Sequence, residues 1–326
     1  MRKEPGQAMR VAVVDQGTNT TRLLVADVDD GTLTELERRT VITRLGQGVD
    51  ATGKLAGEAM ERVRDVLAGY RELIDQSQVE RVIGVATSAM RDAGNGPAFR
   101  DELNERFGID ARTISGDQEA RLTFLGVTAG GPRDAKEADV RQSGPVVVID
   151  IGGGSTEYVV GEPGHDPVFN VSTQMGSVRH TERFLHTDPP DHEGLEALAA
   201  DSRSVIERSV PAERRAATSL AIAVAGTATT LAAIDQELDP YDSAKVHGYR
   251  VGLASAERIR AMLATLPLDE RREVTGLHPD RAPTIVAGVT ILVESIRAFG
   301  LEELEVSEAD ILHGAALAAA SGAEIG

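Results

Sequence analysis

A turn motif that occurs twice constrains the fold of this chain more than any other sequence feature. The first copy, VVDQGTNTTRLLVADV, spans residues 13–28, and the second, VVIDIGGGSTEYVVG, spans residues 147–161. Each copy reads as an apolar strand that ends at an aspartate, then a polar turn with glycine, then another apolar strand. The copies lie too far apart for a solenoid repeat, so they predict two similar domains that each open with this hairpin.

The two turns are candidate phosphate-binding loops. Glycine permits backbone conformations that leave N–H groups uncovered, so such a turn can close around an anion. An ordinary hairpin turn uses the same residue types and is the alternative. Because the motif is duplicated, we favour two turns that face each other and grip a phosphate chain. The candidate residues are Gly17, Thr18, Asn19, Thr20, Gly152, Gly153, Gly154 and Ser155.

Charged residues flank both turns. Asp15 and Asp150 end their strands, where a carboxylate can reach a bound metal or a water molecule, although an aspartate that merely closes a turn is the alternative. Arg22 aligns with Glu157, so the duplicated position carries opposite charges. Such a pair suits a site that holds both a phosphate and a cation.

Composition narrows the class of protein. With 326 residues, of which 41% are hydrophobic, the chain can form two domains of about 100–200 residues each. A net charge of −18 and 3% aromatic residues argue against binding nucleic acid or an anionic membrane. The absence of cysteine excludes disulfides and thiolate chemistry. Neither a signal peptide nor an apolar run of about 18 residues is present, which predicts a cytoplasmic protein.

Strands and helices alternate along the chain, which is typical of an α/β fold. Apolar spacing predicts a helix over residues 56–76, and a further helix is expected from about residue 176 to Pro189, because proline stops a helix. Residues 1–9 are predicted to be a disordered extension, and the polar segment 131–144 a linker.

Two further segments carry candidate groups. Ser88 and Arg91 follow a strand and can converge on a phosphate, although such an arginine is more often a surface charge. Ser115 and Gln118 fit a helix-capping box that places Glu119 in the first helical turn. Glu119 either complements the helix dipole or acts as a general base in a cleft between the domains, and we favour the base.

Gly226 and Thr227 stand between a predicted strand and a helix, where they offer N–H groups and a hydroxyl to an anion, or form a plain connecting turn. The seven histidines show no pair at metal-ligand spacing, and neither a Walker loop nor a dinucleotide-binding fingerprint is present.

The chain resembles the exopolyphosphatase and guanosine pentaphosphate phosphohydrolase (Ppx/GppA) family, within the acetate and sugar kinase, Hsp70 and actin superfamily. The resemblance runs from about Val11 to Leu317, in the order of the family's motifs. The matching segments are DQGTNTTRLLV, ATSAMRDAGN, ISGDQEARLTFLGV, DIGGGSTEYVVG, MGSVRHTERF, AGTATTLAAI, GLHPDRAPTIVAG and SEADILHGA.

The resemblance implies two ribonuclease-H-like domains around an interdomain cleft. Domain I would comprise residues 10–128 and the C-terminal helix 308–326, and domain II residues 129–307. It implies that the two glycine turns and Arg91 bind phosphate, that Glu119 is the catalytic base, and that Mg²⁺ is bound, with Mn²⁺ as a possible substitute. The resemblance implies Asp150 and Glu157 as metal ligands, and we add Asp15 because it ends the equivalent strand of the first copy. Arg22 would clamp the terminal phosphate, and an ion pair with Glu157 is its alternative.

The implied activity is Mg²⁺-dependent release of orthophosphate from the ends of inorganic polyphosphate. We expect short chains as substrates, because the helical C-terminal domains of the long family members are missing. Hydrolysis of guanosine pentaphosphate, a kinase reaction and a nonenzymatic sensing module are the alternatives, and a homodimer is expected. Gln16 departs from the family, which usually has an apolar residue there.

Overall fold

The computed structural model describes residues 8–129 and 144–323, which form two compact units. The first unit comprises residues 8–129 and 310–323, and the second comprises residues 144–309. The predicted N-terminal extension, apart from its last two residues, lies outside the described residues. So does the predicted linker, apart from its last residue.

The first unit is built on a five-stranded sheet with the order β3-β2-β1-β4-β5. The β1–β2 and β2–β3 pairs are antiparallel, whereas β4 pairs parallel with β1 and β5 pairs parallel with β4. The strands are β1 (Met9–Gln16), β2 (Thr20–Asp29), β3 (Thr32–Ile42), β4 (Arg81–Ala86) and β5 (Ala111–Thr113). Numbered along the whole chain, its helices are α1 (Val49–Thr52), α2 (Gly57–Gln76), α3 (Ser88–Asp92), α4 (Gly96–Phe107), α5 (Gly116–Thr128) and α14 (Ile311–Ser321).

Strand β1 supplies both faces of this unit's core, because successive side chains of a strand point to opposite faces of the sheet. Val11 and Val13 belong to the cluster that includes residues of α14, while Ala12 and Val14 belong to the cluster that includes residues of α2 and α4. The strand is buried from residue 11 onward, so its last residues carry polar side chains into the interior.

The second unit is built on a six-stranded mixed sheet with the order β10-β11-β9-β6-β7-β8. The strands are β6 (Val146–Ile151), β7 (Thr156–Gly161), β8 (Phe169–Thr173), β9 (Leu220–Val224), β10 (Arg250–Gly252) and β11 (Glu303–Val306). The helices are α6 (Ser177–Phe184), α7 (His192–Ser209), α8 (Ala212–Ala216), α9 (Ala225–Asp235), α10 (Ser243–Val246), α11 (Leu253–Thr265), α12 (Leu268–Arg271) and α13 (Ile285–Ala298), with a 3₁₀ turn at Pro279–Arg281.

Five strands of the second sheet repeat the arrangement of the first. An antiparallel hairpin and a third strand (β8-β7-β6) are extended by two parallel strands (β9 and β11), as β3-β2-β1 are extended by β4 and β5. This order is that of the ribonuclease-H-like fold, so the predicted α/β class is confirmed. Helix α13 is buried from Ile285 to Ile296, which makes it the central helix of the second core.

One predicted element differs. The helix expected to reach Pro189 ends at Phe184, after which Leu185 adopts a non-helical conformation (φ −106°, ψ 87°). The Asp188 carboxylate accepts the backbone N–H of Leu268 at 2.8 Å and 3.0 Å. The residues after Phe184 therefore lead to a contact with the start of α12. None of the helices in the described part of the chain combines the length and apolar content needed to cross a membrane.

Candidate active site

The carbonyl groups of the first glycine turn are held by the loop that follows β3. The Gly46 N–H donates to Thr18 O at 2.8 Å, and the N–H groups of Thr43 and Arg44 donate to Asn19 O at 3.0 Å and 2.9 Å. Arg44 has a left-handed φ of 51°, and its N–H and that of Thr43 both donate to this one oxygen. A trans peptide group points its N–H away from its carbonyl. Because the Thr18 carbonyl points toward the loop after β3, the Asn19 N–H points away from that loop.

Ser88 lies beside this turn. Its hydroxyl is 2.7 Å from the Thr18 hydroxyl, and the Ala89 N–H donates to the same Thr18 oxygen at 3.2 Å. The contact arises because α3 begins directly after β4, which pairs with β1. The structure therefore brings Ser88 and the first turn together.

Arg22 is held between two buried carboxylates of the first unit. It is the direct cross-strand partner of Asp15, and its Nη2 lies 2.6 Å from Asp15 Oδ2. Its Nη1 donates to Asp310, the residue that caps the N-terminus of α14, and Arg38 Nη2 lies 3.5 Å from the same carboxylate. Arg22 thus forms ion pairs with two carboxylates of its own unit.

The pKa values of the two carboxylates beside Arg22 are shifted in opposite directions. Burial raises the pKa of Asp15, although the charge of Arg22 opposes the shift. Burial would also raise the pKa of Asp310, but Arg22, His313 and Arg38 together hold it well below its usual range. Asp15 Oδ1 has no hydrogen-bond partner among the described residues, so it can accept a bond from a bound water or ligate a cation.

Arg91 and Glu119 form a second contact in the first unit. The predicted capping box of Ser115 and Gln118 is confirmed, and it starts α5 so that Glu119 falls in the first helical turn. Glu119 is 8% exposed, and its Oε2 lies 3.7 Å from Arg91 Nη1. Arg91 is fixed in turn by a 2.9 Å bond to Ile114 O. A carboxylate near an arginine at a helix start can position a water beside a phosphate.

The second glycine turn has the same closing bond as the first. The Gly152 N–H donates to Ser155 O at 3.0 Å, just as the Gly17 N–H donates to Thr20 O at 2.9 Å. The duplicated sequence thus folds into duplicated backbone geometry.

The start of α6 captures the carbonyl groups of the second turn. The Ser177 N–H donates to Gly152 O at 2.9 Å, and the N–H groups of Val178 and Arg179 donate to Gly153 O at 2.9 Å and 3.1 Å. The N–H groups of Gly153 and Gly154 therefore face the side opposite to α6, where successive N–H groups of this kind form an anion-binding concavity.

Asp150 and Glu157 are direct partners across the β6–β7 hairpin. They are 7% and 1% exposed, and the Ser172 hydroxyl donates to Glu157 Oε1 at 2.7 Å. Two carboxylates placed side by side repel each other and are costly to bury. The equivalent pair in the first unit is Asp15 and Arg22, which carry opposite charges, so the two hairpins differ in the charges of their paired residues at this position.

The donor set of the second hairpin fits Mg²⁺. This ion prefers oxygen ligands and commonly binds one or two carboxylates, with waters and substrate phosphates completing its shell. In the described part of the chain, no group of three or more acidic, histidine or cysteine side chains is arranged to hold a metal. Asp150 and Glu157 match the one or two carboxylates that Mg²⁺ commonly takes from a protein.

Gly226 and Thr227 lie in the first turn of α9 under close constraint. A Cβ on Gly226 would stand 1.5 Å from Arg281 Nη1, so the guanidinium packs against the glycine backbone. Thr227 likewise packs against Gly288 of α13. Ala225 has a left-handed φ of 63°, a conformation that costs energy for alanine and that the surrounding contacts hold in place.

The structure groups the candidate residues unit by unit. The first unit joins its turn to Ser88 and to the Asp15–Arg22 pair, and places Arg91 next to Glu119. Three nearby residues were not predicted as site residues: Asp310, Arg281 and Arg179. All three lie in segments that match motifs of the family. A charged side chain within a motif that is otherwise apolar or contains glycine is the sequence signal that could have identified them.

Comparisons with known proteins agree on the family. The model of the Ppx/GppA phosphatase family matches residues 24–320. Exopolyphosphatase 2 of Mycobacterium tuberculosis is 42% identical over 95% of this chain and 98% of its own length. The crystal structure of the Aquifex aeolicus Ppx/GppA family member is 31% identical with a TM-score of 0.78, covering 97% of this chain and 99% of that chain. An exopolyphosphatase from Cytophaga hutchinsonii is 26% identical with a TM-score of 0.86, covering 98% of this chain and 100% of that chain. This chain belongs to the Ppx/GppA phosphatase family.

Proposed function

We propose that the protein is a Mg²⁺-dependent exopolyphosphatase that releases orthophosphate from the ends of short inorganic polyphosphate chains. The observation that carries the proposal is the second hairpin. It places the N–H groups of a glycine turn next to Asp150 and Glu157, a buried pair of carboxylates. A phosphate chain with its cation satisfies both features at once, because the chain accepts from the N–H groups and the cation neutralises the carboxylates.

The similarity to named enzymes supports polyphosphate as the substrate. The mycobacterial relative, 42% identical over nearly the whole of both chains, is named an exopolyphosphatase. The family also carries the name of a guanosine pentaphosphate phosphohydrolase, which acts on the same kind of phosphoanhydride bond. Polyphosphate and the nucleotide are therefore compared directly in the experiment below.

Each group has a role in the proposed reaction. Asp150 and Glu157 would hold Mg²⁺, with Asp15 as a further ligand or as an acceptor for a metal-bound water. When bound, the ion would neutralise the negative charge of the phosphate oxygens. The turn N–H groups, Ser88, Arg91, Gly226 and Thr227 would bind the phosphates. Arg22 would add positive charge near the terminal phosphate while Asp15 and Asp310 fix its orientation.

Glu119 would act as the general base. Its carboxylate accepts a proton from a water as the water oxygen bonds to the terminal phosphorus. The bridging P–O bond then breaks, and the electron pair leaves with the shortened chain. The Arg91 guanidinium, 3.7 Å from Glu119, would bind an oxygen of the same phosphate and so keep base and substrate together.

The enzyme is further proposed to be a homodimer in the cytoplasm. Light scattering on the purified protein tests the homodimer.

The proposal is tested by measuring orthophosphate release from tripolyphosphate, long-chain polyphosphate and guanosine pentaphosphate, each with Mg²⁺, with Mn²⁺ and with EDTA. We expect metal-dependent release that is fastest on tripolyphosphate. A preference for the nucleotide would assign the chain to the alternative hydrolase. Transfer of phosphate to an added acceptor in place of water would indicate a kinase, and binding without turnover would indicate a sensing module.

A further inference from the structure

We propose that Arg179 is a positioning residue for the second phosphate turn: its guanidinium holds the Gly154 carbonyl and thereby aims the Ser155 N–H at the bound phosphate. This inference rests on the proposed function, since it assigns a role within the same phosphate site.

Two of these peptide groups are held by backbone alone. In a trans peptide, the carbonyl of one residue and the N–H of the next point in opposite directions. Capture of Gly152 O by the Ser177 N–H therefore directs the Gly153 N–H away from α6. Capture of Gly153 O by the first N–H groups of α6 directs the Gly154 N–H in the same way.

The orientation of the third peptide group, between Gly154 and Ser155, depends on a side chain. Arg179 Nε donates to Gly154 O at 2.8 Å, and no described backbone N–H donates to that oxygen. The Gly154 carbonyl shares its peptide group with the Ser155 N–H, so Arg179 determines the direction of this third donor. The first turn differs, because backbone N–H groups hold the carbonyls of both Thr18 and Asn19.

Loss of this bond would affect phosphate binding in a specific way. A peptide group next to glycine can rotate at low cost, because glycine has no Cβ to restrict the backbone. If the Gly154 peptide turned over, its carbonyl oxygen would face the phosphate and the Ser155 N–H would face α6. One attractive contact would be replaced by a repulsive one, without any change in the carboxylates or in Glu119.

The helix that carries Arg179 is itself fixed against the turn. A Cβ on Gly176 would lie 2.4 Å from Gly153 O, so only glycine allows the backbone before α6 to approach this closely. Arg179 is half-buried at this junction, and burial lowers its pKa. The guanidinium remains a charge-assisted donor, which is a stronger hydrogen bond than a neutral one.

The test compares Arg179→Met with Arg183→Met. Arg183 lies one turn further along α6, is exposed, and covers the Phe184 ring with its guanidinium 5.2 Å from the ring centroid, so it is the matched control. We expect Arg179→Met to raise KM for tripolyphosphate, and Ki for orthophosphate as a competitive inhibitor, by about 10–100-fold. Arg183→Met should change both constants by less than about 3-fold.

The split between KM and kcat separates positioning from a merely structural role. A variant that only loses folded protein shows a lower kcat with unchanged KM and Ki. Arg179→Lys restores a cation without the planar donor geometry, so its KM should lie between those of the wild type and Arg179→Met. KM and Ki of Arg179→Met equal to those of the control would overturn the inference.

Failure of this inference can be distinguished from failure of the proposed function. If the wild type releases no orthophosphate with Mg²⁺ from any substrate, the proposed function fails whatever the variants do. If the wild type is active but Arg179→Met does not fold, Arg179→Lys decides alone. A raised KM in that variant supports the inference, and an unchanged KM overturns it.

Discussion

At the scale of single residues, Glu119 carries the proton chemistry of the proposed reaction. Glu119→Gln keeps the size of the side chain and its place in α5 but removes the proton acceptor. We therefore expect kcat for tripolyphosphate to fall by about 10²–10⁴-fold with KM nearly unchanged. Steady-state orthophosphate release measures both constants.

The matched control is Asp117→Asn, an exposed carboxylate in the same helical turn. It removes a charge that complements the helix dipole without touching the candidate base. If Asp117→Asn and Glu119→Gln reduce kcat equally, the effect comes from the start of the helix, and Glu119 is not the base.

Gln16, in contrast to Glu119, is a buried polar residue that has no role in the candidate site. Its side chain is 0% exposed, and neither amide atom has a hydrogen-bond partner among the described residues. A buried polar group without a partner costs about 1–3 kcal/mol. Gln16→Met, which has a similar shape, should therefore raise the free energy of unfolding in urea by about 1–3 kcal/mol.

Thr21→Val serves as the control for Gln16. Thr21 is the cross-strand partner of Gln16, but its hydroxyl is 3.0 Å from that of Thr43. Removing this paired group should lower stability. A loss of stability in Gln16→Met as well would show that a buried water satisfies the amide, contrary to the prediction.

At the scale of elements, helix α6 carries His180, a buried histidine whose protonation should make stability depend on pH. The ring is fully buried, its Nδ1 accepts the Gly176 N–H at 3.4 Å, and its Nε2 lies 3.2 Å from Asp201 of α7. Nε2 therefore carries the proton and donates to Asp201. Burial lowers the pKa of His180 to about 4, with Asp201 opposing and the arginines at 179 and 183 adding to the shift.

The sign of this coupling follows from the lowered pKa. The unfolded chain takes up the proton near the ordinary histidine pKa of about 6.5, before the folded protein does, so protonation favours unfolding. The stability that neutral His180 contributes is complete above about pH 6.5 and is lost progressively toward pH 4, by up to about 3 kcal/mol. Urea unfolding of wild type, His180→Gln and His192→Gln between pH 7 and pH 4.5 measures this. His192 is exposed, and only His180→Gln should reduce the pH dependence.

Elements also show which parts of the structure can be predicted from sequence. The hairpins and the capping box of α5 depend on residues a few positions apart, so alternation and spacing reveal them. Just after α6, Asp188 bonds to Leu268, which is 80 residues away, and the surroundings of Arg22 include Asp310, which is 288 residues away. Contacts of this range leave no local pattern in the sequence, whereas the turns and paired charges of the candidate site lie within hairpins that do.

At the scale of the whole molecule, the first unit is discontinuous in sequence and the second is continuous. Ile311 and Leu312 of α14 are 2% and 0% exposed in the core of the first unit, and Asp310 holds Arg22. Burial of the two large side chains alone contributes about 3–6 kcal/mol, a large part of the about 5–15 kcal/mol that stabilises a domain. A chain that ends at Ala309 should therefore lose the first unit while residues 144–309 stay folded.

Calorimetry and limited proteolysis with mass spectrometry test this expectation. The shortened chain should lose one unfolding transition and be digested rapidly within residues 8–129, whereas peptides from residues 144–309 stay protected. A chain that ends at Gly322 keeps α14 and is the control, and it should behave like the wild type. Equal protection of residues 8–129 in the two shortened chains would mean that the first unit folds without α14. In that case Arg22 would lose its contact with Asp310, and the guanidinium would be freer to move toward a bound phosphate.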